Sequence, residues 1–177
     1  MRRFLKILYL VLCIGSNALA EEPVTINPYW LNIGLGGSPN HFNLNSSYNK
    51  SLDNLSYQIS INYSKEYFLR IDAMTTGNLG LGISDHRSWY ISSIYLGPSL
   101  SYGEARNNLD RYVDFWGAGI ALNAQMYFMP LNNLFPGIGL GLEFFYNFNV
   151  MQTEDVNYRH VYSFRLSVCL TNLHDKL

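Results

Sequence analysis

Four ionisable residues stand out by their place in an alternating pattern rather than by any motif. Arg70, Asp72, Glu143 and Arg165 each fall on the polar register of a segment whose other register is apolar. Two cations and two anions on that register can neutralise one another, and an unpaired charge in a packed interior is too costly to keep. The plain expectation is a structural ion network. The sharper alternative is a gated or ion-selective path lined by the same four groups. Arg159 falls near the rim of the same arrangement.

Catalytic chemistry has less support. Ser84-Asp85-His86 is the one dense cluster of nucleophile, acid and base, and His160 lies beside a loop. Neighbours on a strand face opposite ways, whereas a catalytic triad converges from distant segments. No enzymatic activity is expected. Nor does the chain carry a metal-ligand spacing, a nucleotide-binding loop or a basic patch interleaved with aromatics, so neither cofactor, metal nor nucleic acid is expected. Asn45, Asn49, Asn54 and Asn62 each open an Asn-x-Ser triplet, which in so Asn- and Ser-rich a chain reads as composition rather than as a set of glycan acceptors. Of the two cysteines, Cys13 lies in an N-terminal leader and Cys169 remains alone, which leaves no intramolecular disulfide.

The elements that would position these residues are strands. Leu55, Tyr57, Ile59, Ile61 and Tyr63 alternate with Ser56, Gln58, Ser60, Asn62 and Ser64, giving one apolar and one polar face at a period of two. Ile138, Leu140, Leu142, Phe144, Tyr146, Phe148 and Val150 do the same against Gly139, Gly141, Glu143, Phe145, Asn147 and Asn149. Further strands are predicted at 30–36, 67–74, 89–102, 112–128 and 158–170. A weaker alternation through Phe42, Leu44 and Tyr48 covers 41–50. Residues 77–87, rich in Gly, Asn and Ser, read as a loop, 103–111 as a polar connection, and Ser64-Lys65-Glu66 as a tight hairpin.

The N-terminus carries an export signal. Arg2, Arg3 and Lys6 precede an apolar run from Phe4 to Ile14, and Ala18-Leu19-Ala20 forms a small-x-small cleavage site before Glu21. The expected organisation is a leader over 1–20 and a single domain over 21–177. Losing the leader leaves 9 of the 12 basic residues against 13 acidic ones. Charged residues make up 14% of the chain, well under the roughly 25% of ordinary soluble domains, and no later run reaches the length of a membrane helix. If the exported chain enters a membrane, it does so as strands.

Promoting 41–50 to a strand brings the count to eight. Closure removes sheet edges, whose unpaired backbone groups cost several kcal/mol each in hydrocarbon, and an even number places both termini on one side. The fold class expected is all-β, an eight-stranded antiparallel up-and-down transmembrane β-barrel whose lumen is filled by side chains. A soluble lipocalin-like barrel would show the same alternation turned inside out. Its wet face should be dense in Lys, Glu, Asp and Arg, whereas here that face carries Gly, Ser, Asn and Gln. Trp30, Tyr63, Tyr67, Tyr90, Tyr102, Trp116, Phe128, Tyr158 and Tyr162 sit near strand ends, where interfacial girdles belong.

With its Ala18-Leu19-Ala20 signal, alternating strands and Gly137-Ile138-Gly139-Leu140-Gly141 run, the chain resembles the small outer-membrane barrels of Gram-negative bacteria, the OmpA-like and OmpX-like proteins. Its last strand, with Tyr162, Phe164, Leu166, Val168 and Leu170 alternating, also looks like their C-terminal recognition signal, although residues 171–177 follow it. The resemblance implies a monomer in the bacterial outer membrane, with outer-membrane lipid and the barrel-insertion machinery as partners. Its role would be structural or surface-interacting. A small ion or solute channel and a soluble exported ligand-binding barrel are the alternatives.

Overall fold

The computed structural model describes residues 27–52, 55–66, 72–87, 89–107, 109, 111–129, 137–156 and 158–172. The leader with its cleavage site lies outside them, as do Asn54, Tyr67, Phe68 and Arg70. Eight antiparallel strands run β1 (Tyr29–Gly37), β2 (His41–Leu52), β3 (Leu55–Glu66), β4 (Ala73–His86), β5 (Tyr90–Arg106), β6 (Tyr112–Phe128), β7 (Ile138–Gln152) and β8 (His160–Thr171). Each pairs with its successor and β8 pairs back onto β1, closing the barrel. The β1–β8 ladder runs from Trp30↔Thr171 to Gly37↔Phe164.

Closure leaves two ends. The lower end holds both termini of the barrel and the β4–β5 turn, where Arg87 N donates to Tyr90 O at 2.8 Å. The upper end holds the β1–β2 turn, with Ser38 N donating to His41 O at 2.8 Å, the β5–β6 turn and the β7–β8 loop.

The weak alternation of 41–50 is a full strand, paired along its length with β3. Two expectations are corrected. Residues 77–87 are not a loop, since β4 occupies Ala73–His86, and β3 continues to Glu66 through the supposed hairpin. The glycines of β4 are strand glycines. A Cβ on Gly80 would lie 2.8 Å from Tyr95 Cβ, and one on Gly82 would lie 1.8 Å from Ile94 O. They make room inside the wall for the Tyr95 side chain and for close approach of β5, so they read as turn residues although Leu79, Leu81 and Ile83 keep the outward alternation. The polar connection is also shorter than expected, because Gly103–Arg106 extend β5.

Two irregularities interrupt the ladders. Pro98, which has no N–H to give, faces a gap in β4–β5 pairing between Asn78↔Ser99 and Leu81↔Leu96. On β7 the register slips between Ala118↔Met151 and Gly119↔Asn149, a bulge that leaves Val150 opposite no residue. Val150 and Met151 consequently both point outward.

The polarity of the wall is inverted relative to a soluble barrel. Outward positions carry Ile33, Ile61, Leu81, Leu96, Leu142 and Leu166, each more than half exposed. Among the described strand residues, outward-facing charges fall only within three residues of a strand end, at Lys50, Lys65, Asp85, Glu104, Arg106 and Asp114. Aromatic contacts mark the two borders of this band. Tyr29, Tyr48 and Tyr57 follow one another at 6.5 and 6.4 Å near the lower end, where Trp89 also stacks on Phe128. Near the upper end Tyr102 meets Trp116 at 4.7 Å. Trp30 and Tyr158 do not belong to these girdles: both are buried inside the barrel. Trp30 shares the inward register of Asn32, and Tyr158 precedes β8 in a loop that folds into the mouth.

Candidate functional site

The lumen is filled from end to end, in three layers of different chemistry. The lower layer is apolar: Trp30, Ile91, Tyr95, Tyr127, Met129 and Cys169 pack together. All but Met129 belong to the strands of the wall. The upper layer is apolar as well, built of Met74, Ala105, Phe115, Val156, Tyr158 and Val161, with Val113 against it. Between them lies a polar layer.

At the centre of that layer Glu143 and Arg165, which face each other as a β7–β8 pair, form an ion contact of 3.0 Å between Arg165 Nε and Glu143 Oε2. Both side chains are fully shielded from solvent. Glu143 also accepts from Asn45 Nδ2 at 2.9 Å, from Asn32 Nδ2 and from the Tyr127 hydroxyl. Arg165 donates through Nη1 to Asn43 Oδ1 at 2.9 Å and to Asn62 Oδ1, and its guanidinium lies 5.1 Å from the Phe145 ring centroid. A buried ion pair needs further hydrogen bonds for its members; amides from β1, β2 and β3 supply them to Glu143 and to Arg165 Nη1, while Arg165 Nη2 is buried without a partner.

Those amides belong to longer chains. Asn123 donates to Gln58, Gln58 to Asn49 at 2.7 Å, Asn49 to Ser47 at 3.0 Å, and Ser47 to Asn32 beside Glu143. The chain crosses the lumen from β6 through β3 and β2 to β1. On the other side Asn43 donates to Ser64 at 2.6 Å, while Asn62 reaches Ser60 and Asn78. Above, Ser101 bonds both Thr76 and Asn149, and Asn149 donates to the Tyr158 carbonyl at 2.9 Å.

Of the four charges singled out in the sequence, the structure therefore brings two together. Asp72 lies apart from them, buried just before β4 at the upper end, and its Oδ1 has no hydrogen-bond partner. Arg70 lies outside the described residues. The residues that sequence reasoning passed over are the lumen amides and Tyr127. The signal was available in the Asn-x-Ser triplets, because Asn45, Asn49 and Asn62 are buried in the lumen on the inward register, where no glycan could be attached.

The other clusters do not converge. Ser84 Oγ donates inward to Ser51 Oγ at 3.2 Å, whereas Asp85 accepts from the Tyr90 hydroxyl and lies 3.5 Å from Arg87 Nε. Ser84 and Asp85 thus act on opposite faces of one strand. His160 faces outward, stacked on Phe148 at 4.8 Å with its Nδ1 2.8 Å from the Tyr146 hydroxyl. Cys169 is a buried packing residue with a free thiol.

No family model matches the chain, and no curated protein sequence does. Solved structures do match in fold. The chain is similar to the N-terminal β-barrel domain of Pseudomonas aeruginosa OprF, with a TM-score of 0.56 and 9% identity over 82% of this chain and 97% of that one. It is similar to Neisserial surface protein A, with a TM-score of 0.55 and 12% identity over 85% and 98% of the two chains. The attachment invasion locus protein Ail of Yersinia pestis, solved with the heparin analogue sucrose octasulfate, matches with a TM-score of 0.56 and 10% identity over 82% and 98%. The chain thus has the eight-stranded up-and-down fold of small outer-membrane barrels, covering nearly the whole of each.

Proposed function

We propose that this protein spans the bacterial outer membrane as a monomeric, plugged barrel with a structural or surface-interaction role, and that it is neither an open channel nor an enzyme. The observation that carries the reading is the inverted polarity of the wall. A band of aliphatic side chains without charge faces outward, bordered by aromatic contacts, while the hydrogen-bonding groups turn inward. In water such a surface would be an aggregation hazard, far above the few hundred Å² of contiguous apolar patch usual on soluble monomers. Against lipid it is the required one. The fold likeness supports the same medium, since Ail, one of the similar structures, was also solved in a phospholipid bilayer nanodisc.

The filled lumen favours a plug over a path. Both ends are closed by apolar layers, and the two central charges are spent on each other. Lipid is the expected partner of the wall, and the insertion machinery its partner during assembly. Membrane fractionation with a heat-modifiability gel tests the reading. The protein is expected in the outer-membrane fraction, migrating differently before and after boiling; recovery in the soluble fraction with a single gel position would contradict it.

A further inference from the structure

The two apolar layers that close the lumen are built differently. In the lower layer Trp30, Ile91, Tyr95, Tyr127 and Cys169 are wall residues, held by ladders on both sides. Displacing them means breaking the sheet. In the upper layer Met74, Ala105, Phe115 and Val161 are wall residues as well, but Val156 and Tyr158 come from the loop between β7 and β8, where Val156 forms a single bridge to Asn107 beyond β5. There Tyr158 stacks on Phe115 at 5.6 Å and meets the edge of His41 at 5.3 Å.

We propose that this loop is a displaceable stopper: Val156 and Tyr158 leave the mouth together and open the upper half of the lumen, down to the Glu143–Arg165 pair, as a blind polar well. The closed state carries a built-in cost. The Tyr158 hydroxyl and Asp72 Oδ1 are both buried with no hydrogen-bond partner, and a polar group left so is less favourable than in water. Opening returns the hydroxyl to solvent, which offsets part of the apolar burial that is lost. Burial, with the carboxylates of Asp72 and Glu66 nearby, pushes the Tyr158 hydroxyl up from its ordinary pKa, so it remains a neutral phenol while closed. What lies beneath suits water: Ser101, Thr76 and Asn149 stand directly under Tyr158 and exchange hydrogen bonds with solvent at little cost. The lower layer stays shut, so opening gives access from one side and no conduction.

The test uses the full barrel in lipid vesicles in a Cys169→Ser background, with one reporter thiol at a time and a charged, membrane-impermeant thiol reagent. Ser101→Cys reports the well, and Ser60→Cys, one inward position nearer the lower end than Asn62, the acceptor of Arg165, reports the sealed part. Removing the stopper side chain by Tyr158→Ala is expected to speed labelling of Ser101→Cys at least tenfold and leave Ser60→Cys unlabelled. Val156→Ala serves as the milder second variant, with an intermediate rate expected, and heat-modifiable migration confirms that each barrel is folded. Equal labelling of Ser101→Cys with and without Tyr158 overturns the proposal, and so does labelling of both reporters at one rate, which would mean that the whole barrel breathes. The inference rests on the membrane-barrel reading only for the medium. A barrel that does not enter vesicles counts against that reading, whereas an inserted barrel with stopper-independent labelling counts against the stopper alone.

Discussion

Glu143 and Arg165 hold each other in the middle of the lumen, and their energetics should behave as one unit. Glu143→Gln leaves a buried guanidinium without its counter-charge, and Arg165→Met leaves a buried carboxylate without its own. Either change is expected to destabilise the folded barrel by about 3–5 kcal/mol. The double variant should recover about 1–3 kcal/mol of the summed loss, because neither charge is then stranded. Denaturant unfolding of the four proteins in lipid measures the cycle, and additive losses would rule out direct coupling. The sequence made this pair legible through register alone, since both residues interrupt a polar face of small side chains. Asp72 shared the same alternation and is buried as that predicts, but it lies opposite Glu66 at the upper end of the β3–β4 pairing, away from the central pair. The supporting amides were illegible for a different reason. One Asn on a polar face looks like any other, and only barrel closure shows that Asn32, Asn45 and Tyr127 converge on one carboxylate.

The strands are legible in the sequence where large aliphatic residues alternate with small polar ones, as in β3, β6 and β7. β4 is hidden in the sequence for a physical reason. Two of its inward positions, Gly80 and Gly82, are glycines that make room for Tyr95 and for the β5 backbone, and a glycine chosen for close approach is chemically the same as one chosen for a turn. Gly82→Val is accordingly expected to disrupt β4–β5 pairing and lower the yield of heat-modifiable protein. The outward register makes its own prediction. Leu142→Arg and Leu122→Arg place a charge in the uncharged band, and each should impair membrane insertion by about 2–4 kcal/mol if it meets the bilayer midplane. Leu109, 74% exposed in the β5–β6 turn beyond the aromatic border, provides the contrast, since Leu109→Arg should insert normally. Equal insertion of all three variants would refute a lipid-facing register.

At the scale of the whole molecule, eight strands enclose a lumen just wide enough for side chains to fill. This one is filled by two apolar layers around a neutralised polar one. The architecture was legible from strand count and alternation, but the layering was not. It depends on inward aromatics such as Trp30 and Tyr158, whose position near strand ends suggested the lipid interface instead. The same layering means that opening one end leaves the other closed, so even the Tyr158→Ala barrel should not conduct. Current through a planar lipid bilayer is the most direct measurement of the central claim, made on protein whose insertion is confirmed by heat-modifiable migration of the same sample. The plugged barrel predicts absent or very small steady current for the unmodified protein, and a large, stable conductance would contradict it.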